Sequence, residues 1–153
     1  MAEQVSRQAA KIAAGTKMLP HEAGGKVRCA VITSPAAVTW ASGDTLASPH
    51  IIPAGSRILC TSYISCADMG TSITADVGLR NASTGVEVDL DGIASAIDVA
   101  TAAVRSIANN GALVKDGIES VTTVPTVPVL TLNGGTPTAN AQIRVEVFYL
   151  SYD

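Results

Sequence analysis

The run Ile51–Asn81, IIPAGSRILCTSYISCADMGTSITADVGLRN, constrains the fold more than any other part of the chain. It reads as a turn, a strand, a polar corner and a second strand. In Pro53-Ala54-Gly55, proline presets one backbone angle and glycine accepts a positive φ, so the chain reverses there. In SITADVGLR, Ile73, Ala75, Val77 and Leu79 point one way while Thr74, Asp76 and Arg80 point the other. That period of two marks an antiparallel strand with one dry and one wet face. Gly78 falls on the polar face, as at a bulge or a close backbone approach. In SRILCTSYIS the same period puts Ile58, Cys60, Ser62 and Ile64 on one face, and Arg57, Leu59, Thr61 and Tyr63 on the other. Asp68-Met69-Gly70-Thr71 forms the corner between the strands.

The remainder carries the same texture from Val27 onward. VRCAVIT and AAVTWA are short and rich in β-branched residues, with Ser34-Pro35 and Ser42-Gly43-Asp44 as punctuation. At the end, VPVLTL and AQIRVEVFYLSYD read as two strands joined through the Gly/Pro-rich NGGTPTAN. In the last strand Ile143, Val145, Val147 and Tyr149 share one face. Arg144, Glu146, Phe148, Leu150 and Tyr152 share the other, which begins polar and ends apolar. Two readings stand for Phe148, Leu150 and Tyr152: a contact with another subunit, or one side of an ordinary two-sided core strand. Residues 92–110 fit helical spacing at Ile93, Ile97, Ala100, Val104 and Ile107, but their Thr and Val content favours loop or short strands. At most a short helix is expected there.

The fold class expected is all-β, an antiparallel domain over residues 27–153 preceded by an extended basic arm, residues 1–26. With 153 residues and 47% apolar composition the chain can bury one real core. Aromatic residues are only 3%, so that core is aliphatic and few rings are on offer for stacking on bases or sugars.

The net charge of −3 is unevenly spread. Residues 1–28 hold Arg7, Lys11, Lys17, Lys26 and Arg28 against Glu3 and Glu22, about +3; the rest is about −6. Val5, Ala9 and Ile12 lie at helical spacing, and Pro20 and Gly24-Gly25 then break the segment. Arg7, Lys11, Ile12 and Lys17 are therefore the residues expected to reach an acidic partner or a neighbouring copy. The alternative is a solvated tail.

Little in the chain suggests chemistry. His21 and His50 sit in the arm and before a turn, with no nucleophile or acid spaced to join them. Gly134-Gly135 is followed by Thr-Pro, not by the Lys-Ser/Thr of a phosphate loop. Glu87, Asp89, Asp91, Gly92 and Asp98 fall on a calcium-loop template, but Glu opens it and Asp closes it, and its upstream flank is β. A solvated acidic strand end is the simpler reading. Cys29, Cys60 and Cys66 have no metal spacing. Cys60 and Cys66, on one extended segment, would lie about 20 Å apart, too far for a disulfide. Buried free thiols in a reducing compartment are expected. No apolar run spans a bilayer and no secretory leader is evident, so synthesis and folding in a cytoplasm are expected. No catalytic residue, cofactor, metal, membrane or direct nucleic-acid partner is expected.

From about Gly43 to the C-terminus, the order of motifs resembles the capsid decoration (cement, or head-stabilising) proteins of tailed bacteriophages. The residues concerned are Gly43-Asp44-Thr45-Leu46, Ile52-Pro53-Ala54-Gly55-Ser56-Arg57-Ile58-Leu59, Gly70-Thr71-Ser72-Ile73-Thr74-Ala75-Asp76-Val77-Gly78-Leu79, Ile97-Asp98-Val99 and the Val/Tyr-rich closing strand. The resemblance covers about two-thirds of the chain. It implies a small antiparallel β barrel or jelly-roll-like domain on the outer capsid surface that binds the major capsid protein, associates as a homo-oligomer, usually a trimer, and clamps neighbouring capsomers of the expanded shell. That family shares no common arm, so residues 1–26 are read from their own charge. Two alternatives remain: a head-fibre or minor tail protein built on the same domain, and a host- or carbohydrate-binding module anchored by Trp40 and the terminal tyrosines.

Overall fold

Period-two burial fixes the strands. The computed structural model describes residues 10, 13–15, 25–107, 111–115 and 122–151. In chain order its strands are β1 (Lys26–Thr33), β2 (Thr45–Ala47), β3 (Arg57–Ile58), β4 (Tyr63–Cys66), β5 (Ile73–Asn81), β6 (Glu87–Asp98), β7 (Ala103–Ser106), β8 (Thr126–Gly134) and β9 (Ile143–Ser151). A single helical turn, α1 (Ala112–Lys115), follows β7.

The strands form two antiparallel sheets. The first has the order β1-β9-β4-β7, with β3 also on β9, and the second β2-β8-β5-β6. The pairs β1/β9, β2/β8, β4/β7 and β5/β6 nest inside one another. The chain is thus one long two-stranded ladder, wrapped so that β9 also meets β4 and β8 also meets β5. That wrapping is the jelly roll. The all-β, jelly-roll-like expectation is met. The sheets stay open at their edges among the described residues, so the barrel alternative is not.

One aliphatic core fills the space between them. Ile73, Ala75, Val77 and Leu79 of β5, with Leu130 and Leu132 of β8, face Ala30 and Ile32 of β1, Ile64 of β4, and Ile143, Val145, Val147 and Tyr149 of β9. The alternation read in β5 and β9 is the alternation of burial.

Three segments depart from expectation. SRILCTSYIS is two strands, because the chain steps outward at Cys60 and Thr61, both exposed. Ser62 closes the gap. Its buried Oγ accepts from Phe148 N–H (2.9 Å) and donates to Leu59 C=O (2.9 Å). Those side-chain bonds replace ladder bonds, so β3 and β4 remain collinear on β9. AAVTWA forms no strand. Asn140 captures its backbone instead: Val38 N–H donates to Asn140 Oδ1 (3.1 Å), and Asn140 N–H to Val38 C=O (2.8 Å). Trp40 then folds inward. Residues 92–107 hold the end of β6 and all of β7, with Ile93, Ile97 and Ile107 in the core.

The three cysteines are free, but only Cys66 is buried. Cys29 is half-buried on the outer face of β1 and Cys60 is exposed at the outward step, which corrects the expectation of buried thiols.

Gly78 is where the second sheet's edge is shaped. β5 advances from Thr74 to Arg80 while β6 runs back from Asp98 to Glu87, so β6 carries bulges. The surplus chain folds over Gly78, where a Cβ would lie 2.1 Å from Asp89 O and 2.3 Å from Leu90 C. The glycine is the close approach that the sequence marks. Beside it Val129, 5% exposed, is buried outside the main core. Asp76 holds the other bulge, where Ala96 takes φ +51°. Its carboxylate accepts from Ala96 N–H (2.6 Å) and from Asn133 Nδ2 (2.6 Å).

Candidate interaction surfaces

The described residues that touch water in quantity and are apolar define where this domain can be held. Six large apolar side chains are exposed: Val27, Ile51, Val86, Val88, Leu90 and Val104. Two surfaces carry most of them.

The first is the outer face of the first sheet. Register places Val27, Cys29 and Val31 of β1 beside Leu150, Phe148 and Glu146 of β9, with Arg57 of β3 and Tyr63 of β4 beyond. Phe148 and Leu150, read as either a subunit contact or one side of a two-sided core strand, are half-buried here. Tyr63 packs against Phe148 with ring centroids 6.3 Å apart. At the other end of the strand, Glu146 is buried by its neighbours and bridged to Arg144. Glu146 stands opposite Tyr63 in the ladder, and its carboxylate pushes the Tyr63 hydroxyl above the ordinary phenol range. Burial first, and then the Glu146 charge, raises the Cys29 thiol. This face is therefore an apolar strip joined to a satisfied ionic cluster, with Val27 and Val104 left bare at its rims. Such a surface suits contact with protein.

The second surface is the free edge of the second sheet. Val86, Val88 and Leu90 are 65%, 48% and 51% exposed. They alternate with Glu87, Asp89 and Asp91. Sequence reading missed this row. The segment was read for its acids, as a solvated acidic strand end; only the fold of β6 over Gly78 leaves the apolar members in water as well.

The remaining sequence candidates resolve as follows. Arg7, Lys11, Ile12, Lys17 and Tyr152 lie outside the described residues, as does His21. His50 is exposed, its Nδ1 3.3 Å from Ser48 Oγ, which donates to Val31 C=O. The calcium-template acids lie along a strand rather than around a loop. Asp98 stands at its far end, accepting from Ala100 N–H and 3.8 Å from Arg105. Among the described residues no group of three His, Cys, Asp or Glu is placed to hold a metal. Trp40 is 5% exposed and its indole N–H donates to Ala141 C=O (3.0 Å), so it is a core residue and not a sugar platform. Among the described residues no helix is long and apolar enough to cross a membrane.

Neither protein-family models nor curated proteins match the sequence. Solved structures do match the fold. A chain of the capsid of Ralstonia phage GP4 superposes with a TM-score of 0.65 at 16% identity, over 85% of this chain and 87% of that one. A chain of the cyanophage Pam1 capsid asymmetric unit superposes with a TM-score of 0.53 at 21% identity, over 83% and 86%. At such identities the likeness is one of fold.

Proposed function

We propose that this chain is a structural protein of a phage head, and specifically a decoration protein that binds the outer shell surface and clamps neighbouring capsomers. The observation that carries the reading is coverage. The jelly roll accounts for most of this chain and most of each capsid chain it resembles, so the likeness runs along nearly the full length of both and is not confined to one part. The motif order from Gly43 to the closing strand points the same way.

The physics of such a role needs contact area and no bond chemistry. A clamp that binds only the expanded shell stabilises it by an amount set by its concentration relative to its Kd. Many copies on a symmetric lattice turn a modest contact into a strong one. In this reading the outer face of the first sheet, with Phe148 and Leu150, makes the contact between copies, most simply in a trimer. The basic arm, with Arg7, Lys11, Ile12 and Lys17, lies along an acidic or apolar surface of a capsid subunit or a neighbouring decoration subunit.

The test is co-sedimentation of the full chain with expanded and unexpanded heads that lack it. Capture by expanded heads in hundreds of copies, and not by unexpanded ones, is expected. Capture in a few copies per head would favour the head-fibre or tail reading. Indifference to both forms would overturn the head role itself. Deleting residues 1–24 is expected to lower occupancy; undiminished occupancy would refute the role given to the arm.

A further inference from the structure

Rings larger than a dimer join unlike patches, so each copy must carry two surfaces that fit one another. The described residues hold such a pair, on the free edges of strands β1 and β6.

At the opening of β1, Lys26, Val27 and Arg28 are exposed, Val27 to 61%. Val27 stands on the outer face beside Leu150, and Lys26 and Arg28 stand on the opposite flank. The backbone is open there too. Ser34 N–H donates to Ile143 C=O, so by the antiparallel alternation the even-numbered residues of β1 bond β9, while Val27, Cys29 and Val31 turn their peptide groups outward. Ser48 Oγ donates to the Val31 carbonyl; among the described residues nothing covers those of Val27 and Cys29.

At the opening of β6, exposed Val86, Val88 and Leu90 alternate with Glu87, Asp89 and Asp91. Glu87 stands opposite Arg80, on the flank away from Val86 and Val88. Among the described residues no ion pair engages the three carboxylates. Helix α1 reaches the strand only at Gly92, where Leu113 packs.

The two edges cannot meet within one copy. Ser48, next to β2, is bonded to β1, so β1 and β2 share one side of the sandwich. Strand β7 follows β6 after a short turn, so these two share the other side. We propose that the β6 edge of one copy seats on the β1 edge of the next. Lys26 and Arg28 meet Glu87, Asp89 and Asp91, while Val27 meets Val86 and Val88. Edge-on, the charged and the apolar flanks match in one contact. The bulges beyond Glu87 keep any shared ladder short, and two segments of this length bury less than the ~1,200 Å² of a stable interface. Val27 is continuous with Leu150 and Phe148, so the outer strip completes the area. The contact rests on the association between copies proposed above and supplies its two halves.

Sedimentation velocity of the full chain, with no shell present, tests it. The wild-type chain is expected to form a closed oligomer, most simply a trimer, at about 0.1 mM, where contacts of micromolar Kd are saturated. Lys26→Glu with Arg28→Glu sets acid against acid, and Glu87→Lys with Asp91→Lys sets base against base. All four side chains are exposed, and Asp89 is left in place because it accepts from Asp91 N–H. Either pair should weaken association about a hundredfold. All four substitutions together exchange the charges and should restore association to within about tenfold of wild type. A wild-type oligomer indifferent to either pair, or no recovery in the folded fourfold variant, overturns the proposal and leaves association between copies standing. A monomeric wild-type chain overturns both, and capture by heads is measured separately.

Discussion

Replacing Gly78 by alanine probes the feature that sets the shape of the second sheet. A Cβ at this position would sit 2.1 Å from Asp89 O and 2.3 Å from both Leu90 C and Leu90 O. All three are backbone atoms, so no side chain can swing aside, and β6 must lift from β5 by about an ångström or more to restore contact near 3.2 Å. Lifting breaks the pairing of Leu79 with Asp89 and of Arg80 with Glu87. Two ladder contacts at about 1 kcal/mol each are then lost. Val129 loses part of its cover, adding about 1 kcal/mol of a side-chain burial worth about 1.5–3 kcal/mol. The total, about 3 kcal/mol, belongs to the damaging end of single substitutions. For a domain of this size it corresponds to a fall in Tm of about 10 °C. Gly43→Ala is the control: Gly43 takes φ +88° with nothing within 4 Å, so alanine there suffers backbone strain of about 1 kcal/mol and no clash. Urea unfolding of the three proteins, followed by circular dichroism, gives both differences. Equal losses for the two variants, or a loss below about 0.5 kcal/mol for Gly78→Ala, would refute the claim that β6 packs its backbone on this glycine.

Ser62→Ala removes the acceptor of Phe148 N–H inside the first sheet and is expected to cost about 1–3 kcal/mol, with amide exchange accelerated at Phe148. Alkylation by iodoacetamide at neutral pH is expected to modify Cys60 first, Cys29 more slowly because burial and Glu146 raise its thiol, and Cys66 last; any other order contradicts the burial described. Tyr63 is held above the ordinary phenol value of 10.0 by the Glu146 carboxylate facing it across the ladder. Its stabilising contribution is therefore full below pH 10 and lost as pH rises through the raised folded value. Tyr63→Phe should remove that alkaline component from the pH dependence of unfolding, and an unchanged profile would refute the influence of Glu146 on Tyr63.

Much of the fold was legible because burial writes a period of two. Ile73 to Leu79 and Ile143 to Tyr149 announce themselves, and Pro53-Ala54-Gly55 and Gly78 behave as their backbone chemistry requires. What was not legible depends on partners distant in sequence. Ser62 occupies an inward position in either a continuous or a broken strand, and only its bond to Phe148 tells which. Val38, Thr39 and Trp40 have strand propensity, but Asn140 captures their backbone from a hundred residues away. The apolar row of β6 is written as plainly as that of β5, yet bulges and Gly78 turn it outward. Of the interaction residues named from sequence, Phe148 and Leu150 lie together on one outer face. The apolar edge at Val86–Leu90 emerged only from the fold.

The role proposed for this small jelly roll is to stabilise a shell by binding it. Differential scanning calorimetry of expanded heads, with increasing amounts of the full chain, tests that most directly. A saturable rise in the temperature of shell disruption, absent for unexpanded heads, is the predicted result. Heads that bind the chain and fail at an unchanged temperature would contradict it.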